Sequence, residues 1–235
     1  MLFALVVLTA APALPAPFDS LEGTLIVEKR SHAVYAPKGS LKPLAKLAAD
    51  DGNDVMVGVV TLAPNVKRCL IFSPGPSEDP GWFIYAEKQC AKADDSLSPE
   101  LQLSGEQLII TGNGALYTLQ NSNAKFTVRH KLTWNGKAWR EVPQPFLYVG
   151  EKVKVATKNV VTEEKVASVP LYAEKKVGSE VVVTLAPGAQ VEILLAEKGD
   201  AEWFLVRTEF GLVGWHHSPG GGIVPDALGL YFHGD

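Results

Sequence analysis

The chain is poor in cysteine and has no excess of positive charge. Its 235 residues include two Cys, and 22 Lys and Arg against 26 Asp and Glu give a net charge of -4. Nucleic-acid binding depends on many Lys and Arg contacts to phosphates, so this charge balance argues against nucleic acid as a partner. The N-terminal apolar run, residues 2–8, is much shorter than the about 20 residues of a membrane-spanning helix. We therefore expect no stable membrane span.

Residues 1–16 have the pattern of a secretory signal peptide. Small residues and prolines follow the apolar run, and Ala11, Pro12 and Ala13 form an A-x-A cleavage pattern. The positive residues that usually precede the apolar run are missing, so the terminal amine is the only positive group there. The pattern predicts export to the periplasm or beyond the cell. The alternative is a buried N-terminal strand.

Export determines how the two cysteines, Cys69 and Cys90, are interpreted. Disulfides persist in oxidising compartments, and a bridge here would close a loop of about 20 residues. A nucleophilic thiol is the alternative, but neither cysteine has a neighbouring His to act as base. Metal binding by the two cysteines is not supported either, because the sequence has neither a C-x-x-C motif nor a close Cys/His cluster. We expect a disulfide.

Most of the remaining chain is predicted to form short β-strands. Brief runs rich in Val, Ile, Thr, Tyr and Phe alternate with turn residues, which is typical of antiparallel sheets. Only residues 41–49 show apolar spacing that favours a short helix. The predicted strands before the C-terminal region are residues 24–28, 55–62, 69–72, 82–86, 108–111, 115–119 and 125–134.

Two Asn-Gly pairs predict tight hairpins. Asn113-Gly114 separates two predicted strands, and Asn135-Gly136 separates residues 125–134 from 139–142. Asn-Gly suits the positive backbone angles of such turns. Gly112 could begin a phosphate-binding glycine motif, but the third glycine and the following helix are missing, so the hairpin interpretation is preferred.

The prolines at 143 and 145 mark the predicted boundary between two domains, because they interrupt strand pairing. We predict an antiparallel β domain over residues 23–142, a linker with connecting strands over 143–167, a small barrel over 168–217 and a tail over 218–235. Residues 125–158 are locally basic. A solvated strand face explains that charge, and a site for an anionic glycan or an acidic peptide is the alternative.

The predicted barrel carries a specific series of residues. It begins with a short strand that contains Tyr172, and Gly188 precedes its third strand. Trp203 and Val206 form the pattern W-x-x-V, and the pattern G-x-x-G-W ends at Trp215. Short strands with glycine at the corners suit a small twisted barrel. The stretch resembles the bacterial SH3-type domain, over about a fifth of the chain. The resemblance implies an interaction module for peptidoglycan peptides, glycans or proteins, with Tyr172, Trp203 and Trp215 as candidate binding residues. Core packing is the alternative role for both tryptophans.

The N-terminal domain resembles exported β domains built from propeller blades of the FG-GAP and VCBS kind. The resemblance rests on an acidic loop, residues 50–54, before a Val-rich strand, and on the hairpin that ends at Trp139 and Arg140. It makes Asp50 and Asp54 weak calcium candidates, because the loop is too contracted for a full oxygen shell. A competing observation is that V-V-T-L-A-P at residues 59–64 recurs at 182–187, as a duplicated barrel would require.

The sequence as a whole predicts an all-β protein with a propeller-blade-like domain followed by an SH3-like barrel. We expect a non-catalytic, exported binding or scaffolding protein of the bacterial envelope, without a cofactor. Its partner would be a cell-wall peptide or glycan, or an envelope protein. H-E-x-x-H and G-x-S-x-G are missing. The late histidines are His216, His217 and His233, and Asp235 follows them. An envelope-polymer hydrolase that uses carboxylates or these histidines, or an inhibitor of one, stays open as the alternative.

Overall fold

The computed structural model describes residues 18–27, 32–43, 55–74, 80–91, 98–121, 127–159, 163–197, 203–218 and 227–228. Across these residues the protein is all-β, with 17 strands and one short 3-10 helix, Glu87–Ala91. The chain divides into two compact units. The first contains residues up to 120 and residues 130–142, and the second contains residues 121–129 and those from 143 onward. The predicted signal peptide, residues 1–16, and the calcium candidates Asp50 and Asp54 lie outside the described residues.

The first unit is built from two sheets. One has six strands in the order β1-β2-β8-β9-β10-β11, and the other has five in the order β3-β4-β5-β6-β7. Strands β2 and β8 are parallel, an exception to the antiparallel pairing that we expected. The sheets have more strands than the four of a propeller blade, and the resemblance to propeller blades stays a prediction. The strands are β1 Glu22–Val27, β2 His32–Ala36, β3 Leu41–Pro43, β4 Val55–Ala63, β5 Val66–Ser73, β6 Gly81–Ala86, β7 Leu101–Ser104, β8 Gln107–Ile110, β9 Ala115–Asn121, β10 Thr127–Trp134 and β11 Trp139–Glu141.

A single apolar core joins these two sheets. Alternate residues of each strand point to the same face, and both sheets contribute their inner face to one buried cluster. Burying each large apolar side chain contributes about 1.5–3 kcal/mol to folding. Trp82 is fully buried there, and its indole Nε1 donates a hydrogen bond of 2.7 Å to the Gly105 carbonyl.

The prediction of a helix over residues 41–49 is wrong for its first three residues. Leu41, Lys42 and Pro43 form β3, which pairs with β4 so that Leu41 lies opposite Val60. Leu41 packs against the core of the unit, and this contact outweighs the weak helical spacing. Proline is tolerated because β3 is an edge strand. Residues 44–49 lie outside the described residues.

Both predicted hairpins are present. Strands β8 and β9 flank Asn113-Gly114, and β10 and β11 flank Asn135-Gly136. The positive φ angles lie at Gly114 (90°) and Gly136 (93°), whereas the asparagines do not adopt one. Instead, Asn135 Oδ1 accepts hydrogen bonds from the backbone N–H groups of Lys137 (3.0 Å) and Ala138 (2.9 Å). Asparagine therefore closes this turn through its side chain, as in an Asx turn.

The predicted disulfide is confirmed. Cys69 lies on β5 and Cys90 on the 3-10 helix, with Cα atoms 5.3 Å apart and a separation of 21 positions in sequence. Cys69 is fully buried. The bridge therefore fastens the short helix to the middle of the five-stranded sheet.

The second unit contains one six-stranded sheet in the order β12-β15-β16-β17-β13-β14. Its strands are β12 Phe146–Lys154, β13 Val169–Tyr172, β14 Val181–Leu185, β15 Gln190–Glu197, β16 Trp203–Thr208 and β17 Val213–His217. Strand β12 comes from the segment predicted as linker and connecting strands, and it pairs with β15 along most of its length. The buried face of the sheet surrounds an apolar core that includes Leu171, Ile193, Phe204 and Val206.

The two copies of V-V-T-L-A-P have different strand partners. The first copy begins in β4, which pairs with β3 and β5, whereas the second begins in β14, which pairs with β13. Tyr35 lies on β2, in the other sheet from the first copy, while Tyr172 lies on β13, directly beside the second. The pairing therefore does not follow the pattern of a duplicated barrel.

Candidate binding face

The three candidate binding residues lie on three adjacent strands of the second unit, in the order β16, β17 and β13. Tyr172 is the last residue of β13, Trp203 the first residue of β16, and Trp215 the central residue of β17. All three side chains are half-buried, and none belongs to the buried core cluster of this unit. They are therefore placed where a ligand could reach their rings.

Strand register puts these residues on one face of the sheet. Tyr172 lies opposite Trp215, Trp215 opposite Leu205, and Trp203 opposite His217. Directly opposed residues project to the same side, and adjacent residues along a strand project to opposite sides. The neighbours Leu171, Phe204 and His216 are accordingly buried. The aromatic side chains thus occupy the outward face, and the core occupies the inward one.

Further rings extend this surface. The Trp203 ring lies 4.7 Å from the His217 ring and 6.3 Å from the Tyr172 ring, and the Phe146 ring lies 5.9 Å from that of Trp215. We call the set Phe146, Tyr172, Trp203, Trp215 and His217 the aromatic face. Phe146 was missed at the sequence level, because its strand reaches this face only through the pairing of β12 with β15. Its position at the start of an apolar run after Pro145 was the available signal.

One ion pair borders the aromatic face. Lys175 Nζ lies 5.5 Å from the ring centroids of both Phe146 and Trp215, within the range of a cation–π interaction. The same ammonium lies 2.6 Å from the Glu197 carboxylate. The face therefore combines flat apolar rings with a charged donor and a charged acceptor at its rim. This combination resembles the apolar lining and few convergent polar groups of ligand sites.

Glycine allows two neighbouring strands of the aromatic face to approach closely. A Cβ on Gly214 would stand 2.8 Å from Leu171 Cβ and 3.1 Å from the Tyr172 carbonyl oxygen. Gly211, the first glycine of G-x-x-G-W, has a φ of 92°, a conformation that other residues rarely adopt. The two glycines of the motif therefore serve different purposes, one a close strand approach and the other a turn.

The turn between β16 and β17 presents an apolar side chain to solvent. Phe210 is 89 % exposed, and Leu212 and Val213 beside it are also exposed. The turn is closed by hydrogen bonds from Thr208 N to Leu212 O and from Gly211 N to Thr208 O, both 2.9 Å. Each exposed large apolar side chain among the described residues belongs to the second unit. Contiguous exposed apolar surface of this kind marks interaction sites.

The late histidines project to opposite sides of β17. His216 is buried with the core side, and His217 lies on the aromatic face, as expected for adjacent strand residues. His233 and Asp235 lie outside the described residues, so the alternative of a hydrolase that uses them stays a prediction. Within the described ranges, no group of three or more His, Cys, Asp or Glu residues is arranged to hold a metal ion.

Two cations of the basic region lie against aromatic rings. Arg129 is 5.2 Å from the Tyr148 ring centroid, and Lys131 is 5.7 Å from that of Tyr117. These cations therefore already have partners within their own units, whereas Lys137 and Arg140 are exposed near the β10–β11 hairpin.

We find no protein-family model that matches this chain, and no curated protein or solved structure that is significantly similar to it. The fold itself defines the class as an all-β protein of two compact units, the first of which contains a disulfide. None of the described residues belongs to a helix that is long and apolar enough to cross a membrane.

Proposed function

We propose that this chain is an exported, non-catalytic binding protein of the bacterial envelope, and that its aromatic face recognises peptidoglycan. The observation that carries the proposal is the alignment of five aromatic side chains on the outward face of one sheet. Stacked or edge-on rings supply a large contact area with little conformational freedom to lose on binding. Tryptophan and tyrosine dominate binding energy at many interfaces for this reason.

The charged rim supports a ligand with both apolar and polar groups. Lys175 and Glu197 lie beside the rings of Phe146 and Trp215. Peptidoglycan offers sugar rings and short peptides that carry amides, carboxylates and amines. Its apolar ring faces and methyl groups would lie against the aromatic face, while its charged groups would pair with the rim. The resemblance to bacterial SH3-type domains points to the same class of ligand.

The disulfide supports export. Disulfides persist in the periplasm and outside the cell and are rare in the reducing cytosol. The pair Cys69–Cys90 therefore agrees with the signal-peptide pattern of residues 1–16. The proposed location, periplasmic or secreted, rests on these two independent features.

An envelope protein is the second candidate partner, and Phe210 favours it. A phenylalanine held almost fully exposed on a hydrogen-bonded turn resembles the aromatic anchor of a protein interface. Phe210 projects from the turn rather than from the aromatic face, so the two candidates depend on different residues. This separation allows one experiment to distinguish them.

The test is co-sedimentation of the mature protein with purified, insoluble peptidoglycan. The proposal predicts saturable retention that the double variant W203A/W215A loses by about tenfold or more, while F210A is retained as well as the wild type. The matched control is W134A, which removes a half-buried tryptophan from the first unit. Circular dichroism and thermal melting establish that each variant is folded. Absence of retention, or equal retention of W203A/W215A, would overturn the proposal.

A further inference from the structure

The two Asn-Gly turns of the first unit differ in how far solvent reaches them. An asparagine that precedes glycine is prone to lose its side-chain amide, because glycine leaves the next backbone nitrogen sterically open. Both asparagines are exposed, but Gly114 is buried whereas Gly136 is exposed. A Cβ on Gly136 would meet no atom within 4 Å, and one on Gly114 would lie 3.6 Å from Trp134 Cβ and 3.8 Å from Ala63 Cβ. Water and base therefore reach the turn at Asn135-Gly136 more easily.

The glycine backbone nitrogen, which is the nucleophile in this reaction, is also held differently in the two turns. Gly114 N–H donates a hydrogen bond of 3.0 Å to the Leu62 carbonyl, and the Gly114 carbonyl accepts one of 2.8 Å from Trp134 N–H. These bonds fasten the first turn to β4 and β10. Within the described part of the chain, Gly136 N–H donates no hydrogen bond. Attack by the Gly114 nitrogen therefore requires local opening of the fold, and attack by the Gly136 nitrogen does not.

The side-chain carbonyl of Asn135 is arranged to be attacked. Its Oδ1 accepts hydrogen bonds from the backbone N–H groups of Lys137 at 3.0 Å and of Ala138 at 2.9 Å. Two backbone donors at such distances stabilise the negative charge that develops on a carbonyl oxygen during nucleophilic attack, as in an oxyanion hole. The turn therefore supplies both a free nucleophile and an activated carbonyl.

The carbonyl of Asn113 also has two donors, so the nucleophile makes the difference between the turns. Asn113 Oδ1 accepts hydrogen bonds from Ala115 N–H at 3.2 Å and from the Thr111 hydroxyl at 2.5 Å. The Gly114 nitrogen beside it is buried and already bonded to Leu62. An activated carbonyl without an accessible nucleophile does not react.

We propose that Asn135 is a modification site, at which the folded protein converts this asparagine to isoaspartate and aspartate, while the fold protects Asn113. A base from solvent removes the Gly136 amide proton, and the nitrogen attacks Asn135 Cγ. The bond from Cγ to Nδ2 then breaks, and Nδ2 takes up a proton and leaves as ammonia. Water adds to either carbonyl of the resulting succinimide ring and opens it. Water is the sole co-reactant, and nothing is oxidised or reduced.

The modification changes the hairpin that carries it. Ring opening on the main-chain side gives isoaspartate, in which the backbone passes through the side chain and is longer by one carbon atom. Trp134 and Trp139 are directly opposed across this turn, with ring centroids 5.4 Å apart. Strand β11 is an edge strand of three residues, so its pairing depends on the turn. Isoaspartate therefore weakens the pairing of β11 with β10. The site is independent of the proposed function, because it uses no residue of the aromatic face.

The test is peptide mapping by mass spectrometry after incubation of the mature protein in mildly alkaline buffer, once folded and once unfolded in urea. Unfolding gives both Asn-Gly pairs the same local chemistry, so their rates in urea should be equal. In the folded protein, Asn113 should react about tenfold or more slowly than in urea, because its turn must first open. Asn135 should keep a rate within about threefold of its rate in urea. Both sites are compared within one chain, so this measurement needs no variant.

The effect on β11 is followed by the indole N–H signals of Trp134 and Trp139 during the same incubation of the folded protein. Both signals should change in step with the reaction at Asn135. The matched control is N135Q, which keeps an amide but closes the corresponding larger ring much more slowly, so its signals should stay constant.

Three results would overturn the inference. One is an equal rate at Asn113 and Asn135 in the folded protein, and another is a rate at Asn135 that falls about tenfold or more on folding. The third is the same time-dependent change of the indole signals in N135Q as in the wild type.

Discussion

Tyr172 and Trp215 lie directly opposite each other on the neighbouring strands β13 and β17. These residues are 43 positions apart in sequence. The pairing of their strands places both aromatic side chains on one face of the sheet. The close approach of the strands depends on Gly214, where any side chain would meet Leu171 and Tyr172. The binding face and the strand packing are therefore linked through one glycine.

The variant G214A should disturb the aromatic face without removing an aromatic ring. The added methyl group would stand within 3.1 Å of β13 atoms, so β13 and β17 must separate. We expect a loss of stability of about 1–3 kcal/mol from overpacking, measured by urea denaturation, together with weaker peptidoglycan retention. A glycine-to-alanine change at Gly81 is the comparison, because Gly81 also has no positive φ and a Cβ there would meet its nearest atom at an ordinary 3.5 Å. Equal effects of the two changes would contradict the role given to Gly214.

Removal of the disulfide should destabilise the first unit. The double variant C69A/C90A frees a loop of 21 residues in the unfolded state, and the expected loss is about 3 kcal/mol. Thermal melting of the wild type under reducing conditions should approach that of the variant, while the variant itself should not respond to reductant. A wild type that melts at the same temperature with and without reductant would contradict a structural role for the bridge.

The variant W82F should be less stable than the wild type. Phenylalanine fills most of the indole volume but leaves the Gly105 carbonyl, which accepts the buried 2.7 Å hydrogen bond, without that donor. An unsatisfied buried group costs about 1–3 kcal/mol, and the smaller ring adds a cavity cost. The change lies in the first unit, so retention on peptidoglycan should persist at temperatures where the protein is folded. Chemical denaturation measures the expected shift, and an unchanged midpoint would contradict it.

Stability should fall at alkaline pH partly because of Tyr35. This side chain is 2 % exposed, and burial raises the pKa of Tyr35 above its ordinary value of 10.0. Above pH 10 the unfolded chain loses this proton more readily than the folded protein does, so the free energy of unfolding decreases as pH rises. Below pH 10 the contribution is fully present. The variant Y35F should show a shallower decrease above pH 10. An identical slope in the two proteins would exclude Tyr35 as a cause.

Much of the strand pattern could be predicted because most strands have one apolar face. In β16 and β17, for example, buried residues alternate with more exposed ones. Strand β2 was missed because all five of its residues are buried. Its inner face joins the main core, and Ala33 and Tyr35 on its outer face are covered by Phe18, Leu21 and Leu25. A strand that is covered on both sides shows no alternation of apolar and polar residues.

The candidate binding residues could be predicted individually but not their surroundings. Tyr172, Trp203 and Trp215 stand in a recognisable order along the chain. Phe146 and Lys175 reach the same face through strand pairing and a loop, which leave no local pattern.

The most direct measurement follows the indole N–H signals of the five tryptophans by NMR as soluble peptidoglycan fragments are added to the mature protein. The account predicts saturable shifts for Trp203 and Trp215, which lie on the aromatic face, and none for Trp82, which is fully buried in the first unit. Both shifting signals should report the same dissociation constant. Unchanged signals for Trp203 and Trp215 at saturating fragment would contradict the account, because the aromatic face would then have no part in recognising the cell wall.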